Sequence, residues 1–285
     1  MTWGELLYKG KKQLLDAGVP DAENDAWYLF QKAFGMTRSQ YLLCMTENAE
    51  TERTGEYEAL LKRREKREPL QHILGNWDFM GLSFEVNGDV LVPRQDTEVL
   101  VEAVLSRFQG QDPAMLDLCT GSGCIAVSLA ALGNFSRVWA ADLSEKALAV
   151  AKRNAERILS GKDAGVVFRR SDMFSAFHDG EKFDLITSNP PYIPTAVIEE
   201  LEPEVRDFEP RMALDGAEDG LFFYRILAEQ SGRFLNPGGA VFFEIGHDQG
   251  AAVSGLLEEN GFTDVELCRD LTGKDRVVCG RWRND

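Results

Sequence analysis

A chain of 285 residues with 44% hydrophobic content is long enough for one large domain, or for a small and a medium one. A formal charge of −16 and a pI near 4.7 argue against a protein that holds nucleic acid through its phosphates, because such binding rests on Lys and Arg, although local basic patches stay open. Cys44, Cys119, Cys124, Cys268 and Cys279 lie among apolar residues without metal-ligand spacing, so reduced thiols and no metal are expected. No basic-then-apolar leader and no run near the roughly 18 apolar residues of a membrane span are visible, and a cytoplasmic protein without a membrane partner is expected.

Residues 1–70 read as a helical domain. Thr2 can cap a helix carrying Trp3, Leu6, Leu7, Leu14 and Leu15, which Gly18 and Pro20 end. Asp21 opens a second helix, with Trp27, Phe30 and Phe34 on one side and Gly35 as its stop. A short third helix starts at Thr37, and a fourth carries Tyr57, Leu60 and Leu61 before Pro69. Its end, Lys62-Arg63-Arg64-Glu65-Lys66-Arg67, reads either as a solvated last turn suited to the helix dipole or as a surface for an acidic partner. Residues 1–75 carry 11 basic and 12 acidic groups against 20 and 35 in the remainder, so the two parts differ as separate domains would.

From residue 71 to 94 the apolar period shortens to two, with Trp77 and Phe79, then Leu82, Phe84 and Val86 around Gly81, and Asn87-Gly88 as a second turn, which predicts a β-hairpin linker. A helix follows over Val99 to Phe108, with Asp96 or Thr97 as its cap. Arg94, just before it, can bind a carboxylate or form a structural ion pair. In residues 95–285 strands and helices alternate, which predicts an α/β doubly wound parallel sheet, and Phe262 to Cys268 with Val277 to Arg281 close it as a β pair.

Asp117-Leu118-Cys119-Thr120-Gly121-Ser122-Gly123 joins the first strand of that domain to its helix, where Gly121 and Gly123 let the backbone pass close to a ligand at a helix N-terminus. Gly121-x-Gly123-x-x-Ala126 also fits a dinucleotide fingerprint. Asp142, at the end of the next strand and followed by Leu143, can accept from ribose hydroxyls of either kind of cofactor. After the third strand, Asp172 offers an acceptor to an adenine amino group and Met173 an apolar lid, although Ser171-Asp172 equally suits a helix cap.

Asn189-Pro190-Pro191-Tyr192 then ends the strand Phe183 to Ser188, because two prolines cannot continue a ladder. With no N–H on either proline, the local carbonyls are fixed in direction and short of donors. An Asn carbonyl and a flat Tyr ring beside them can hold a planar NH2 group by both hydrogens, as in an amide or exocyclic amine; the alternative is a turn made of turn-formers.

The order of Asp117, Gly121, Gly123, Asp142, Asp172 and Asn189-Pro190-Pro191-Tyr192 resembles that of the class I methyltransferases that use S-adenosylmethionine. In these, Asn-Pro-Pro-Tyr marks enzymes that methylate adenine N6, guanine N2 or glutamine N5. Pro93-Arg94-Gln95-Asp96-Thr97-Glu98, Phe208-Glu209-Pro210-Arg211 and Phe243-Glu244-Ile245-Gly246 further resemble the protein-(glutamine-N5) methyltransferases that modify peptide chain release factors, over nearly the whole chain. The chain departs from them at Cys119, where many relatives have glycine, and at Gln95, where proline is common. The resemblance implies a seven-stranded, mostly parallel methyltransferase sheet after a small helical substrate-recognition domain. It also implies S-adenosylmethionine held by Asp117 to Gly123 (through Cys119, Thr120, Gly121 and Ser122), Asp142, Leu143, Asp172, Met173 and Asn189. Catalysis is expected from Asn189, Pro190 and Tyr192, and substrate binding from these with Pro191, Arg94 and Arg211. A release factor is the expected partner of a monomeric enzyme that does not bind nucleic acid directly; the alternatives are an exocyclic base amine or a ribosomal-protein glutamine. Between Ala196 and Gly220 nine acidic residues face only Arg206 and Arg211, which would repel phosphates unless the run is simply a solvated loop. His72, His178 and His247 do not adjoin the tetrapeptide, so loss of the amide proton to water is expected.

Overall fold

The computed structural model describes all residues except 50, 51, 136, 163, 284 and 285. The chain forms two compact units, residues 1–76 with 202–208, and residues 77–201 with 209–285.

The first unit is helical. Helix α1 (Trp3–Asp16) starts in a capping box in which Thr2 Oγ1 accepts from Glu5 N while Glu5 returns a bond to Thr2 N. Helix α2 (Ala22–Phe34) ends at Gly35, whose φ of 70° is the left-handed stop that glycine adopts without strain. Helix α3 (Arg38–Cys44) opens on a second capping box, Thr37 with Gln40, and α4 (Thr54–Glu65) buries Tyr57, Leu60 and Leu61. Trp3, Phe30, Phe34 and Tyr57 meet edge-on or tilted at the centre of the unit. The basic end of α4 is solvated only in part: Lys62, Arg63 and Lys66 are exposed, whereas Arg64 and Arg67 are not. Arg64 is buried and donates to Asp25 at 2.6 Å and Glu204 at 2.8 Å, and Arg67 donates to the same Glu204 at 2.7 Å. The acidic partner is thus supplied by residues 202–208 of the same unit. A short helix, α5 (Leu70–Leu74), stands where the hairpin was expected to begin; its two apolar anchors, Leu70 and Ile73, are spaced for a helical turn.

Strands β1 (Asn76–Phe79) and β2 (Leu82–Glu85) make a two-stranded hairpin that is shorter than the span expected from residues 71–94 and that lies in the second unit from Trp77 onward. Helix α6 (Glu98–Arg107) follows, with Thr97 at its N-cap position but making no cap bond. Next come β3 (Ala114–Leu118), α7 (Cys124–Leu132), β4 (Arg137–Asp142), α8 (Glu145–Ile158), β5 (Val166–Arg170), β6 (Phe183–Ser188), the short α9 (Pro203–Arg206, in the first unit), α10 (Phe222–Phe234), β7 (Leu235–Glu244), α11 (Gly250–Glu259), β8 (Phe262–Arg269) and β9 (Asp275–Trp282). The seven long strands form one sheet in the order β5-β4-β3-β6-β7-β9-β8, parallel except for β9, which runs antiparallel to both neighbours. This is the expected doubly wound sheet with the closing β pair at one edge. Strand β7 starts at Leu235, which pairs with Phe183 ahead of a bulge and carries residues 236–239 into the strand.

Strand β3 is buried at every position, as a central parallel strand must be. Two apolar layers flank the sheet, one holding Leu100, Val104, Ile125, Leu129 and Phe242, the other Leu116, Ile186, Tyr224, Leu227 and Phe243. Full burial of each such side chain contributes roughly 1.5–3 kcal/mol, so the sheet is a rigid base for the loops at its carboxyl ends. Among the described residues no helix is long and apolar enough to cross a membrane.

Candidate active site

The carboxyl ends of β3, β4 and β6 meet around an open cleft in the second unit. Cys119, Thr120, Gly121 and Ser122 line it from the first loop, Asp142 and Leu143 from the second, Asp172 and Met173 from the third, and Asn189 and Pro191 from the tetrapeptide. The cleft therefore brings together most of the expected cofactor contacts. Two of them sit elsewhere. Asp117 is fully buried beneath the loop, where Oδ2 accepts from Thr120 Oγ1 at 2.6 Å and Oδ1 from Thr187 Oγ1 at 2.7 Å, so it braces the turn from below. Burial pushes its carboxyl up to about 7, opposed by those two hydroxyls. Gly123 packs α7 against α8: a Cβ there would stand 3.1 Å from the Cβ of Ala151.

The glycine turn leaves space where a ligand is needed. Gly121 has φ +55°, and nothing lies within 4 Å of the place its Cβ would take. Cys119 carries φ +58°, a conformation that favours glycine and that accounts for glycine at this position in the family resembled. Its Sγ lies 3.9 Å from Met173 Sδ, and burial drives its thiol far above the ordinary range, so it is an apolar wall and not a nucleophile. Asp142 Oδ2 accepts from Gly121 N and Oδ1 from Ser144 N, both at 2.9 Å, which orients the carboxylate and leaves further lone pairs for a ligand's hydroxyls.

At the end of β6 the two prolines leave Asn189 half-buried and Pro190 buried. Asn189 Nδ2 donates to Thr97 Oγ1 at 3.4 Å. Among the described residues no hydrogen bond takes up Asn189 Oδ1 or the Pro190 carbonyl, but only Asn189 lines the cleft; Pro190, expected beside it, does not. The tetrapeptide is braced from behind: Gln249 donates to the Tyr192 carbonyl at 3.1 Å and to that of Gly220 at 3.2 Å, and its Oε1 accepts from Gly246 N. Tyr192 rests half-buried on the core cluster of Tyr224 and does not line the cleft. Gly220, with φ +73°, lies so close that a Cβ would run into the Tyr192 carbonyl. Gly220→Ala is therefore expected to cost about 1–3 kcal/mol of stability and to lower turnover more than cofactor affinity, which paired unfolding and kinetic measurements check.

Arg94 forms the ion pair that was one of its two readings, donating at 2.6 Å to the buried Glu209, whose other oxygen accepts from Val92 N at 3.1 Å. Its exposed side still lines the cleft, whereas Arg211 does not and pairs with Glu199 at 2.9 Å. The acidic run is not a bare solvated loop either: Glu209 is held by Arg94, Asp207 by Arg206, Asp219 by Arg225, and Glu202 and Glu204 by Arg67, which weakens the phosphate repulsion expected of it. Thr97, Gln249 and Glu244 were not predicted as site residues. Thr97 reads in the sequence as a candidate helix cap and Glu244 stands in a stretch that drew attention only by resemblance, while nothing in the local sequence marks Gln249.

The PrmC N-terminal domain family matches residues 5–75, and the Methyltransferase small domain family matches residues 94–200. A release factor glutamine methyltransferase of Geobacter sulfurreducens is 44% identical over 94% of this chain and 92% of its own length. The chain belongs to the release factor glutamine methyltransferase family. Another member, from Moorella thermoacetica, is 40% identical over the full length of both chains. Membership makes the protein a methyltransferase, and the family depends on S-adenosylmethionine. A methyltransferase structure from Pyrococcus furiosus shares the fold, with a TM-score of 0.53 and 20% identity over 72% of this chain and 91% of that one.

Proposed function

We propose that the protein transfers a methyl group from S-adenosylmethionine to the side-chain nitrogen N5 of a glutamine in a peptide chain release factor. The observation that carries this reading is the unclaimed acceptor Asn189 Oδ1, on a residue that lines a cleft whose other wall is the glycine turn, with the equally unclaimed Pro190 carbonyl next to it in the chain. The residues of that wall fit the cofactor: open space over Gly121, an oriented Asp142 carboxylate for ribose hydroxyls, Asp172 for an amino group, and the apolar Leu143 and Met173 for a base.

S-adenosylmethionine supplies a sulfonium methyl carbon open to attack by a nitrogen. An amide nitrogen is a poor nucleophile because its lone pair is delocalised into the carbonyl, so the task of this chain is to hold it in line at roughly 3–3.5 Å. Asn189 Oδ1 and the Pro190 carbonyl accept its two hydrogens and favour the partial positive charge it gains in attack. Pro191 walls the cleft, Tyr192 keeps the tetrapeptide in place from the core side, and Arg94, paired with Glu209, offers its exposed side to the substrate, whereas Arg211, off the cleft and paired with Glu199, takes no part in holding it. The spent N–H proton passes to water.

Calorimetry is expected to show binding of S-adenosylmethionine but not NAD, weakened about tenfold to hundredfold by Asp142→Ala, as loss of charge-assisted hydrogen bonds implies. Methyl transfer from labelled cofactor is expected with a release factor and absent with RNA or DNA; label on nucleic acid alone overturns the substrate reading.

A further inference from the structure

Glu244 ends β7 with a side chain only 1% exposed, and its Oε2 has no hydrogen-bond partner among the described residues. A buried carboxylate oxygen without a donor costs stability, so packing alone does not account for it. The Thr97 hydroxyl and the Asn189 amide stand close enough to favour its ionised form, and Asn189 Nδ2 donates to Thr97 Oγ1 at 3.4 Å. Thr97 stands where a helix cap is expected, yet its side chain caps nothing and faces this pair instead.

We propose that Glu244 is a positioning residue: its carboxylate holds the NH2 edge of Asn189, directly and through Thr97, and so turns Oδ1 toward the substrate amide. This rests on the role given to Asn189 above. An ionised carboxylate can only accept, so the Thr97 hydroxyl must donate toward it and keep its lone pairs for Asn189 Nδ2. A group at position 244 that can itself donate releases that order. Thr97 can then donate to Asn189 Oδ1, and the amide rotates by half a turn. It would face a substrate NH2 with its own NH2, donor against donor, and the site would lose an acceptor it needs in the transition state.

The charges around Glu244 are mixed. Arg276 favours its ionised form but is shared with Asp96 and Asp270, each at 3.0 Å; Asp96 works against ionisation, and Tyr192, Tyr224 and Cys124 also face the carboxylate. Burial is the largest influence and pushes Glu244 up to about 7. The ordered form of the network is thus complete above that pH and is lost as pH falls through it.

The test is turnover of the full chain on a release factor across pH, for wild type, Glu244→Gln, Thr97→Val, Thr97→Ser and Asn189→Ala. Glu244→Gln is expected to lower kcat about tenfold or more with the KM for S-adenosylmethionine little changed, and to lack the acid limb near 7 that wild type shows in kcat. Thr97→Val should reproduce the loss and Thr97→Ser should restore most of it, a pattern that simple loss of packing would not give. Should Glu244→Gln fail to fold, the Thr97 pair decides: wild-type kcat in Thr97→Val overturns the proposal. Wild-type kcat with an intact acid limb in Glu244→Gln, while Asn189→Ala is inactive, overturns the role of Glu244 and leaves that of Asn189 standing. Near-normal turnover in Asn189→Ala overturns both.

Discussion

Asn189→Ala is expected to lower kcat by about two to three decades, the roughly 2.7–4 kcal/mol of barrier that removal of one preorganised hydrogen-bond partner costs in comparable sites. The side-chain oxygen lost is one of two acceptors that no hydrogen bond among the described residues occupies. On the proposed mechanism the remaining acceptor, the Pro190 carbonyl, would hold one amide hydrogen and leave the nitrogen free to rotate about it. Binding of S-adenosylmethionine should fall far less, because Asp142, Asp172 and the glycine turn are untouched. A rate assay under saturating cofactor, with affinity measured separately by calorimetry, distinguishes the two. Turnover within about threefold of wild type would remove Asn189 from the reaction, since that is only about 0.65 kcal/mol of barrier.

The second large effect lies in the helical unit. Arg64→Ala is expected to destabilise it by about 3–5 kcal/mol, because truncation leaves a buried acid without its cation. Arg64 is 5% exposed and Asp25 6%, and the Arg64 guanidinium also reaches Glu204 and the carbonyl of Glu68. Burial already pushes the Asp25 carboxyl up, and Arg64 is the group that opposes this. Urea unfolding followed by circular dichroism checks the figure. A loss below about 1 kcal/mol, the value of an exposed pair, would show that the cluster is solvated in solution. Exchanging Arg64 and Asp25 together for apolar residues of similar volume should cost much less than either change alone.

Periodicity and end signals made most of the fold legible. Thr2, Thr37 and Gly35 mark helix ends by local chemistry and each acts so in the structure, which adds Glu5 and Gln40 as the capping-box partners of the two threonines. The alternation after residue 95 gave the sheet, because strands buried on both faces leave short continuous apolar runs between helical patterns. What could not be read depends on pairings distant in sequence. Arg64 and Glu204 are 140 positions apart, so the basic run and part of the acidic run each looked solvated when they satisfy one another. Arg94 and Glu209 repeat this at a separation of 115.

The site was legible to the extent that its residues sit in loops with unusual backbone chemistry. Two successive prolines after Asn189 and the glycines of the first loop announce themselves; Gln249, which ties Tyr192 to Gly220, does not. Thr97 is the instructive case. Its place before a helix suggests a cap, and only the approach of Asn189 across 92 positions shows the other use of its hydroxyl. Asp117, near the end of β3, and Gly123, at the cap of α7, flank the loop, and their side-chain positions serve the turn's support and the packing of α7 on α8.

The most direct measurement is tandem mass spectrometry of a release factor incubated with the protein and S-adenosylmethionine. A gain of one methyl group on a glutamine side chain, lost when that glutamine is replaced by glutamate and lost again with Asn189→Ala, is the predicted result. Methylation of a different residue type, or undiminished glutamine methylation by Asn189→Ala, would contradict the claim that Asn189 and Pro190 present a planar amide to the cofactor.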